Sequence, residues 1–141
     1  MLMALLKNGR YKIKLKSSVN HLAEVERITS AIAAEAGFDE SSMDDLSIAI
    51  TELFNNAIHH GNKNDVSKYV TLTYTLYPTY LTISVADQGK GFRPNSLKNP
   101  LAPENLLSES GRGIYLVKML MDDLTFNFHP DGCEIVIRKN L

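Results

Sequence analysis

Apolar and polar residues alternate along short segments of the chain, and this two-residue period predicts five β-strands. The segments are 11–16, 68–76, 80–86, 124–128 and 133–138. The first of them alternates apolar residues with lysines. A parallel sheet covered on both faces would show continuous apolar runs instead. We therefore expect a mostly antiparallel or mixed sheet with one exposed face.

Three other segments place apolar residues three and four positions apart, which predicts amphipathic helices. The first helix follows the capping-type residues of 17–20 and stops at Gly37, a residue that suits a C-cap. The second runs from about 41 to 60, and the third begins near residue 110. Together these elements predict a single domain over 1–141 of the α/β class. Its expected architecture is a two-layer sandwich with a five-stranded sheet and three helices on one face.

The stretch from Asp87 to Gly113 follows neither period. It contains four glycines and three prolines. Loops of this length are uncommon in compact domains unless they are functional or disordered. A functional site is therefore expected to involve this stretch.

Composition excludes some classes of partner. Hydrophobic residues make up 44% of the chain and charged residues 22%, which is ordinary for a soluble globular protein. The net charge of -1 gives no general attraction to nucleic acid or to an anionic membrane, so no direct partner of either kind is expected. A single cysteine cannot form an internal disulfide, and a reducing, cytoplasmic location is expected.

Glu52, Asn56 and His60 are spaced four residues apart on the second predicted helix, so they line one side of it. They border its apolar stripe and are expected at the rim of the core. The amide oxygen of Asn56 can bind Mg²⁺, a hard cation that keeps several of its waters. The carboxylate of Glu52 can accept a proton as a general base. Considered alone, a polar helix edge with an intrahelical hydrogen bond is the simpler interpretation.

Asp87 continues the inward face of the third predicted strand, and Gly89 and Gly91 follow it. A buried carboxylate is costly unless it is paired, and the exocyclic amino group of a ligand would pair it. Glycines let the backbone pass close to a flat ligand because they carry no Cβ. An exposed aspartate that opens a glycine-rich turn is an equally good interpretation of these residues alone.

Gly111, Arg112 and Gly113 stand at the start of the third predicted helix. Free backbone N–H groups at a helix start bind anions, and glycines there let the chain wrap a phosphate. A flexible turn before a helix explains them less well, because the preceding loop is so long. Neither glycine segment is a Walker A loop or a GxGxxG fingerprint.

In this order, the three segments resemble the motifs of the GHKL ATPases. That superfamily includes DNA gyrase, the heat-shock chaperone, sensor histidine kinases and MutL. The segment TELFNNAIHHG at 51–61 resembles their N box, DQGKGF at 87–92 their first glycine box, and GRGI at 111–114 their second. The resemblance covers about 11–139 and implies the Bergerat ATP-binding fold.

Within that superfamily, the chain is similar to the stand-alone, RsbW-like anti-sigma-factor serine kinases. The similarity rests on its short length, its N box and the ending GRGIYLVKMLMDD at 111–123. It implies ATP and Mg²⁺ as cofactors and a STAS-domain anti-anti-sigma protein as the substrate, phosphorylated on serine or threonine. It also implies a sigma factor as a second partner and a homodimer, since many members have both.

The resemblance also assigns roles to individual residues. Glu52 would be the catalytic base, Asn56 the Mg²⁺ ligand, and Asp87 the acceptor for the adenine amino group. The segment 88–112 would form the ATP lid. The other nucleotide contacts fall to His60, Gly89, Gly91, Gly111, Arg112 and Gly113.

One residue departs from the pattern of these kinases. Near the end of the chain they often carry a threonine close to the adenine, and here Cys133 takes that place. A thiol is a weaker hydrogen-bond partner than a hydroxyl. Altered contacts to the nucleotide are expected, with binding retained.

Two other functions are compatible with the same residues. The chain could be an ATP-binding switch module that sequesters a partner without significant catalysis, although the intact Glu52 argues against this. It could also be a detached histidine-kinase catalytic domain. The chain lacks room for a dimerisation helix pair, and His59 and His60 lie inside the N box, a poor place for a phosphoacceptor.

Overall fold

A computed structural model of this chain describes residues 9–89 and 109–141. The strands and helices, in chain order, are β1 (Arg10–Lys16), α1 (Leu22–Ala36), α2 (Glu40–Asn56), β2 (Tyr69–Leu76), β3 (Tyr80–Ala86), α3 (Glu109–Leu120), β4 (Asp123–His129) and β5 (Gly132–Asn140). A short 3₁₀ turn at Val19–His21 precedes α1, and a π-helical turn at Ala57–Gly61 follows α2.

The strands form a five-stranded sheet in the order β1-β2-β3-β5-β4, and every neighbouring pair is antiparallel. Side chains along the three inner strands alternate between fully and partly buried positions. One face therefore packs against the helices and the other is open, as the alternating sequence pattern predicted. The predicted α/β sandwich is confirmed.

The core lies between the inner face of the sheet and the helices. Its apolar side chains come from every layer, and the most completely buried include Val25, Ile32, Leu46, Ile50, Leu53, Phe54, Val70, Leu72, Leu81, Ile83, Val117 and Ile137. One polar pair lies among them: the hydroxyl groups of Tyr74 and Thr29 are 2.7 Å apart. Since Thr29 donates its proton to the Val25 carbonyl, Tyr74 must donate to Thr29.

Local capping sets the helix ends. The predicted C-cap Gly37 ends α1 in the left-handed conformation, at φ 93°. The helix α2 begins slightly earlier than predicted because Asp39 caps it, accepting a hydrogen bond from the Ser42 N–H at 2.8 Å. The predicted capping residue Ser18 caps the 3₁₀ turn instead of α1, and its hydroxyl accepts from the Asn20 N–H.

The second predicted helix was expected to continue to His60. In the structure, α-helical geometry ends at Asn56 and the chain continues through the wider π-helical turn. The Asn62 N–H donates to the Ala57 carbonyl at 2.8 Å, a partner five residues back. Such turns are rare and frequently occur at functional sites. Here the turn changes the direction in which His60 and Gly61 leave the helix.

The central strand β3 brings Asp87 to the middle of one end of the sheet. Its last residue, Ala86, pairs with Thr71 of β2 and with Glu134 of β5. Asp87 therefore emerges between two neighbours, beside the first residues of β5. No helix among residues 9–89 and 109–141 has the length and apolar character needed to cross a membrane.

Candidate functional site

A cleft of about 280 Å³ lies between α2 and α3. Three of its lining residues are the predicted Glu52, Asn56 and His60, and α3 contributes Gly113 and Ile114. Asn55 and His59 also line it, although no spacing or pattern singles them out within the N box. The structure thus joins residues of the first and third predicted motifs in one cavity.

Glu52 reaches across this cleft from α2 to the backbone of α3. A Cβ atom on Gly113 would lie 2.5 Å from Oε2 of Glu52, closer than real Cβ contacts. Glycine at this position therefore makes room for the carboxylate. The pair explains why an acid on one helix and a glycine on another belong to one site.

The side chains of Glu52 and Asn56 are partly buried, whereas His60 is exposed. Among the described residues, no hydrogen bond uses the Glu52 carboxylate or the Asn56 amide, so the simpler alternative of an intrahelical hydrogen bond does not hold there. Oxygen donors at the rim of a cleft suit Mg²⁺, which keeps several of its own waters. The described residues contain no cluster of three or more His, Cys, Asp or Glu side chains that would form an all-protein metal cage.

Asp87 is held firmly by the backbone around it. Its Oδ1 atom accepts hydrogen bonds from the N–H of Gly89 at 3.0 Å and from the N–H of Cys133 at 3.1 Å. Its own N–H donates to the Cys133 carbonyl at 2.9 Å. One carboxylate oxygen is therefore fixed by the protein. No described residue donates a hydrogen bond to the other oxygen, Oδ2.

Glycines surround Asp87 on three sides. A Cβ atom on Gly61 would overlap the carboxylate itself, one on Gly132 would overlap the Asp87 carbonyl, and one on Gly89 would overlap the Gly61 carbonyl. The end of the π-helical turn, the segment after β3 and the start of β5 thus converge on a single carboxylate. Such close backbone approach is possible only without side chains.

Burial raises the pKa of Asp87 above its ordinary value, and the hydrogen bonds from Gly89 and Cys133 only partly oppose this effect. The charged form is therefore incompletely stabilised by the protein. A ligand that donated a hydrogen bond to Oδ2 would improve that balance. This electrostatic state fits the predicted pairing with an exocyclic amino group.

Cys133 contributes to the site through its backbone, because its N–H and carbonyl both bond to Asp87. Its thiol is buried, and the pKa of Cys133 is raised to about 12, mainly by burial and further by the nearby Asp87 and Glu134. The thiol is thus neutral at physiological pH. Cys133 thus lies next to Asp87, the predicted adenine acceptor.

Asn62 is a site residue that the sequence analysis missed, since Gly61-Asn62 resembles an ordinary helix stop. Its side chain is fully buried. The amide Nδ2 donates to the Ser17 hydroxyl and to the Tyr69 carbonyl, while Oδ1 accepts from the Gln88 N–H at 2.7 Å. The amide therefore connects the residue after β1, the first residue of β2 and the segment after β3. The sequence contains no signal for this role, because the burial of the amide and its hydrogen bonds are evident only in the structure.

The remaining predicted residues are less informative. Gly111 and Arg112 lie in α3, and the Arg112 side chain is exposed. Gly91 and most of the predicted lid lie outside the described residues.

A wider depression of about 540 Å³ is lined by Lys68, Gln88, Gly89, Pro130 and Asp131. Because it contains neither Glu52 nor Asn56, its greater volume does not make it the chemical centre.

Comparison with known proteins agrees with this geometry. Residues 15–139 match the family model of the histidine kinase-like ATPase domain. The serine-protein kinase RsbW of Bacillus mycoides is 31% identical, in a match that covers 92% of this chain and 84% of that protein. RsbW of Bacillus thuringiensis is 30% identical with the same coverage.

Two solved structures share the fold. One contains the RsbU and RsbW domains of a protein from Mycobacterium tuberculosis, with a TM-score of 0.68 and 20% identity. That match covers 92% of this chain but only 32% of the other. The other is the histidine kinase domain of a blue-light-activated kinase from Erythrobacter litoralis, with a TM-score of 0.58 and 19% identity, covering 85% of this chain and 60% of that one.

Proposed function

Because this chain belongs to the histidine kinase-like ATPase domain family, and within it to the RsbW-type serine-protein kinases, we propose a specific reaction for its site. We propose that the chain transfers the γ-phosphate of ATP to a serine or threonine hydroxyl of a STAS-domain anti-anti-sigma protein. The observation that carries this proposal is the position of Glu52. Its carboxylate lies in a cleft beside Asn56 and against the α3 backbone at Gly113.

The adenine end of the nucleotide is assigned to Asp87. Oδ1 of Asp87 is occupied by two backbone N–H groups, and among the described residues Oδ2 has no donor. Oδ2 accepts a hydrogen bond from the adenine amino group, and this bond offsets part of the cost of burying the carboxylate. Cys133 and the glycines around Asp87 form the wall of this part of the pocket.

The phosphate end is assigned to the cleft between α2 and α3. Gly61, which touches Asp87, is nine residues beyond Glu52, so roughly two helical turns separate the adenine end from the base. Asn56 lies between them and offers its amide oxygen to a Mg²⁺ ion, which neutralises phosphate charge when it is bound. His60 lines the same cleft, and Gly111, Arg112 and Gly113 lie near the start of α3, where backbone N–H groups attract phosphate.

Glu52 orients the acceptor hydroxyl and takes its proton as the oxygen attacks the γ-phosphorus, while the bond from that phosphorus to the bridging oxygen breaks and ADP leaves. Its partial burial and its lack of hydrogen bonds among the described residues leave the carboxylate available for this task. The acceptor must approach from the open side of the cleft, because α3 closes the other side at Gly113 and Ile114. A sigma factor is the proposed second partner, and the chain acts as a homodimer in the cytoplasm.

The direct experiment uses the variant Glu52→Gln, with ATP labelled at its γ-phosphate and a STAS-domain protein from the same genome. Transfer is expected to fall by about a thousandfold or more, because general bases and their positioning contribute on this scale. The dissociation constant for ATP is expected to change less than about threefold, since Glu52 lies at the phosphate end and does not hold the adenine.

The matched control is Glu40→Gln, which removes an exposed carboxylate from the first turn of the same helix. It is expected to transfer phosphate at the wild-type rate. If Glu52→Gln does so as well, the assignment of the base is wrong. If the wild-type protein binds ATP and the STAS protein but transfers nothing, the chain is a nucleotide-controlled binding module instead.

A further inference from the structure

Asn62 carries a network that the proposed phosphoryl transfer does not require. Its side chain is completely buried, and every polar atom of the amide group is used. Buried amides are retained where their hydrogen bonds are satisfied, since an unsatisfied one is costly. The direction of these bonds shows what the amide holds in place.

One of the three bonds reaches the segment that carries Asp87. The backbone N–H groups of residues 87–89 are all occupied: that of Asp87 by the Cys133 carbonyl, that of Gly89 by Oδ1 of Asp87, and that of Gln88 by Oδ1 of Asn62. Two of these bonds link neighbours on the sheet and within the turn. The bond from Asn62 is the one that comes from the end of the helical layer.

The neighbour of Asn62 completes the link. Gly61 lies directly against the carboxylate of Asp87, without room for a Cβ atom, and Gly89 lies against the Gly61 carbonyl. Asn62 therefore fixes Gln88 while the preceding residue limits where the carboxylate can lie. The Gln88 side chain adds a second tie, because its Oε1 accepts from the Tyr69 N–H at 2.8 Å.

We propose that Asn62 is a positioning residue, which holds Asp87 in place and thereby sets the preference for a 6-amino purine over a 6-oxo purine. This inference rests on the proposed role of Asp87 as the adenine acceptor. A carboxylate oxygen that is held in one position accepts from an amino group and repels a carbonyl oxygen at the same place. A carboxylate free to move would discriminate less between the two.

The test compares the dissociation constants of ATP and inosine triphosphate by calorimetry, with Mg²⁺ present, at a temperature where circular dichroism shows each variant to be folded. Asn62→Ala is expected to weaken ATP binding by about tenfold and inosine triphosphate binding by less than about threefold. Asn62→Ser is the second variant, in case the alanine variant does not fold. Its oxygen is one bond closer to the backbone than the amide oxygen and does not reach the Gln88 N–H, so the same loss of preference is expected.

Two controls separate positioning from stability. Ser17→Ala removes one partner of the Asn62 amide but leaves its bond to Gln88, and Thr29→Val removes a buried hydroxyl that bonds to Val25 and Tyr74 and not to Asn62 or Asp87. Both are expected to lower the melting temperature and to keep the wild-type preference for ATP. If the Asn62 variants also keep that preference while losing stability, Asn62 is only structural and the inference is overturned.

The proposed function fails in a different way. If the wild-type protein binds both nucleotides equally, or if Asp87→Asn leaves the preference unchanged, Asp87 is not the adenine acceptor. That outcome removes the premise itself, independently of what the Asn62 variants do.

Discussion

Gly61 lies against the carboxylate of Asp87 so closely that a methyl group on Gly61 would overlap it. The two residues come from different layers, since Gly61 ends the π-helical turn and Asp87 follows β3. Their contact joins the helical layer to the sheet at the proposed adenine pocket. Several expected effects of substitution depend on contacts of this kind.

Gly61→Ala is expected to weaken ATP binding by at least about tenfold, because the new Cβ atom must displace the Asp87 carboxylate or separate the two layers. Calorimetric titration with ATP measures this effect. The matched control is Gly37→Ala, where the left-handed backbone strains any side chain but no atom lies within 4 Å of the added Cβ. The control is expected to lose stability and keep its ATP affinity; equal affinity in both variants would contradict the assignment.

Gly113→Ala is expected to abolish most phosphoryl transfer without destabilising the protein. Alanine favours a helix by up to about 1 kcal/mol over glycine, and the added Cβ meets only the flexible end of Glu52. Glu52 must then turn away from α3, which misplaces the base. Thermal unfolding and the transfer rate to the STAS protein measure the two effects separately. Wild-type transfer in this variant would show that the Glu52–Gly113 contact has no catalytic importance.

Asp87→Asn is expected to stabilise the nucleotide-free protein at neutral pH while weakening ATP binding by about tenfold or more. Burial raises the pKa of Asp87, so the folded state binds this proton more tightly than the unfolded state does. The cost of the charge is fully present above the raised pKa, and it disappears as the pH falls towards the ordinary value of 3.8. Urea unfolding of the wild-type protein and of Asp87→Asn, from neutral pH down to about pH 3.8, should show the stability difference between them shrinking as the pH falls. A constant difference would indicate that the carboxylate is not the cause.

Tyr74→Phe is expected to cost about 1 kcal/mol at neutral pH through the lost hydrogen bond to Thr29. Burial raises the pKa of Tyr74 to about 12, from an ordinary value of 10.0. Between these values the unfolded tyrosine loses its proton and the folded one keeps it, so stability falls as the pH rises, by about 2–3 kcal/mol over the window.

The phenylalanine variant should lack this part of the alkaline loss, as measured by urea unfolding between pH 9 and pH 12 (roughly the window set by the two pKa values). Tyr77→Phe serves as the comparison, because Tyr77 is 39% exposed whereas Tyr74 is fully buried. If both variants keep the wild-type slope, the buried phenol does not control alkaline unfolding.

The strands and helices could be predicted because each depends on a local period. Ile13 and Leu15 alternate with lysines along β1, and the apolar residues of α1 recur at helical spacing, so both faces are evident in the sequence. The geometry predicted for the end of α2 was wrong, because a helical period does not distinguish an α-helical from a π-helical turn. The π-helical turn covers only the five residues from Ala57 to Gly61.

Some of the site residues follow a local sequence pattern and could be predicted, whereas others depend on long-range contacts and could not. Asp87 could be singled out because it continues the inward alternation of β3 and precedes glycines. Asn62 could not, because its hydrogen bonds reach Ser17 and Gln88, which are 45 and 26 residues away. The contact between Glu52 and Gly113 is likewise set by the packing of α2 on α3. The order of the motifs suggested that these residues cooperate, but not which atoms meet.

The buried state of Cys133 has a practical consequence for spectroscopy. It is the only cysteine of the chain, and because the pKa of its thiol is raised to about 12, the thiol is almost entirely protonated at neutral pH. Maleimide dyes and spin labels react with thiolates, so we expect the native chain to react with them only very slowly. A substitution such as Val66→Cys or Met119→Cys, at positions 63% and 66% exposed, would then take a single probe at a chosen place. With both substitutions in one chain, the distance between the two probes would follow nucleotide and partner binding without first removing the natural cysteine beside Asp87.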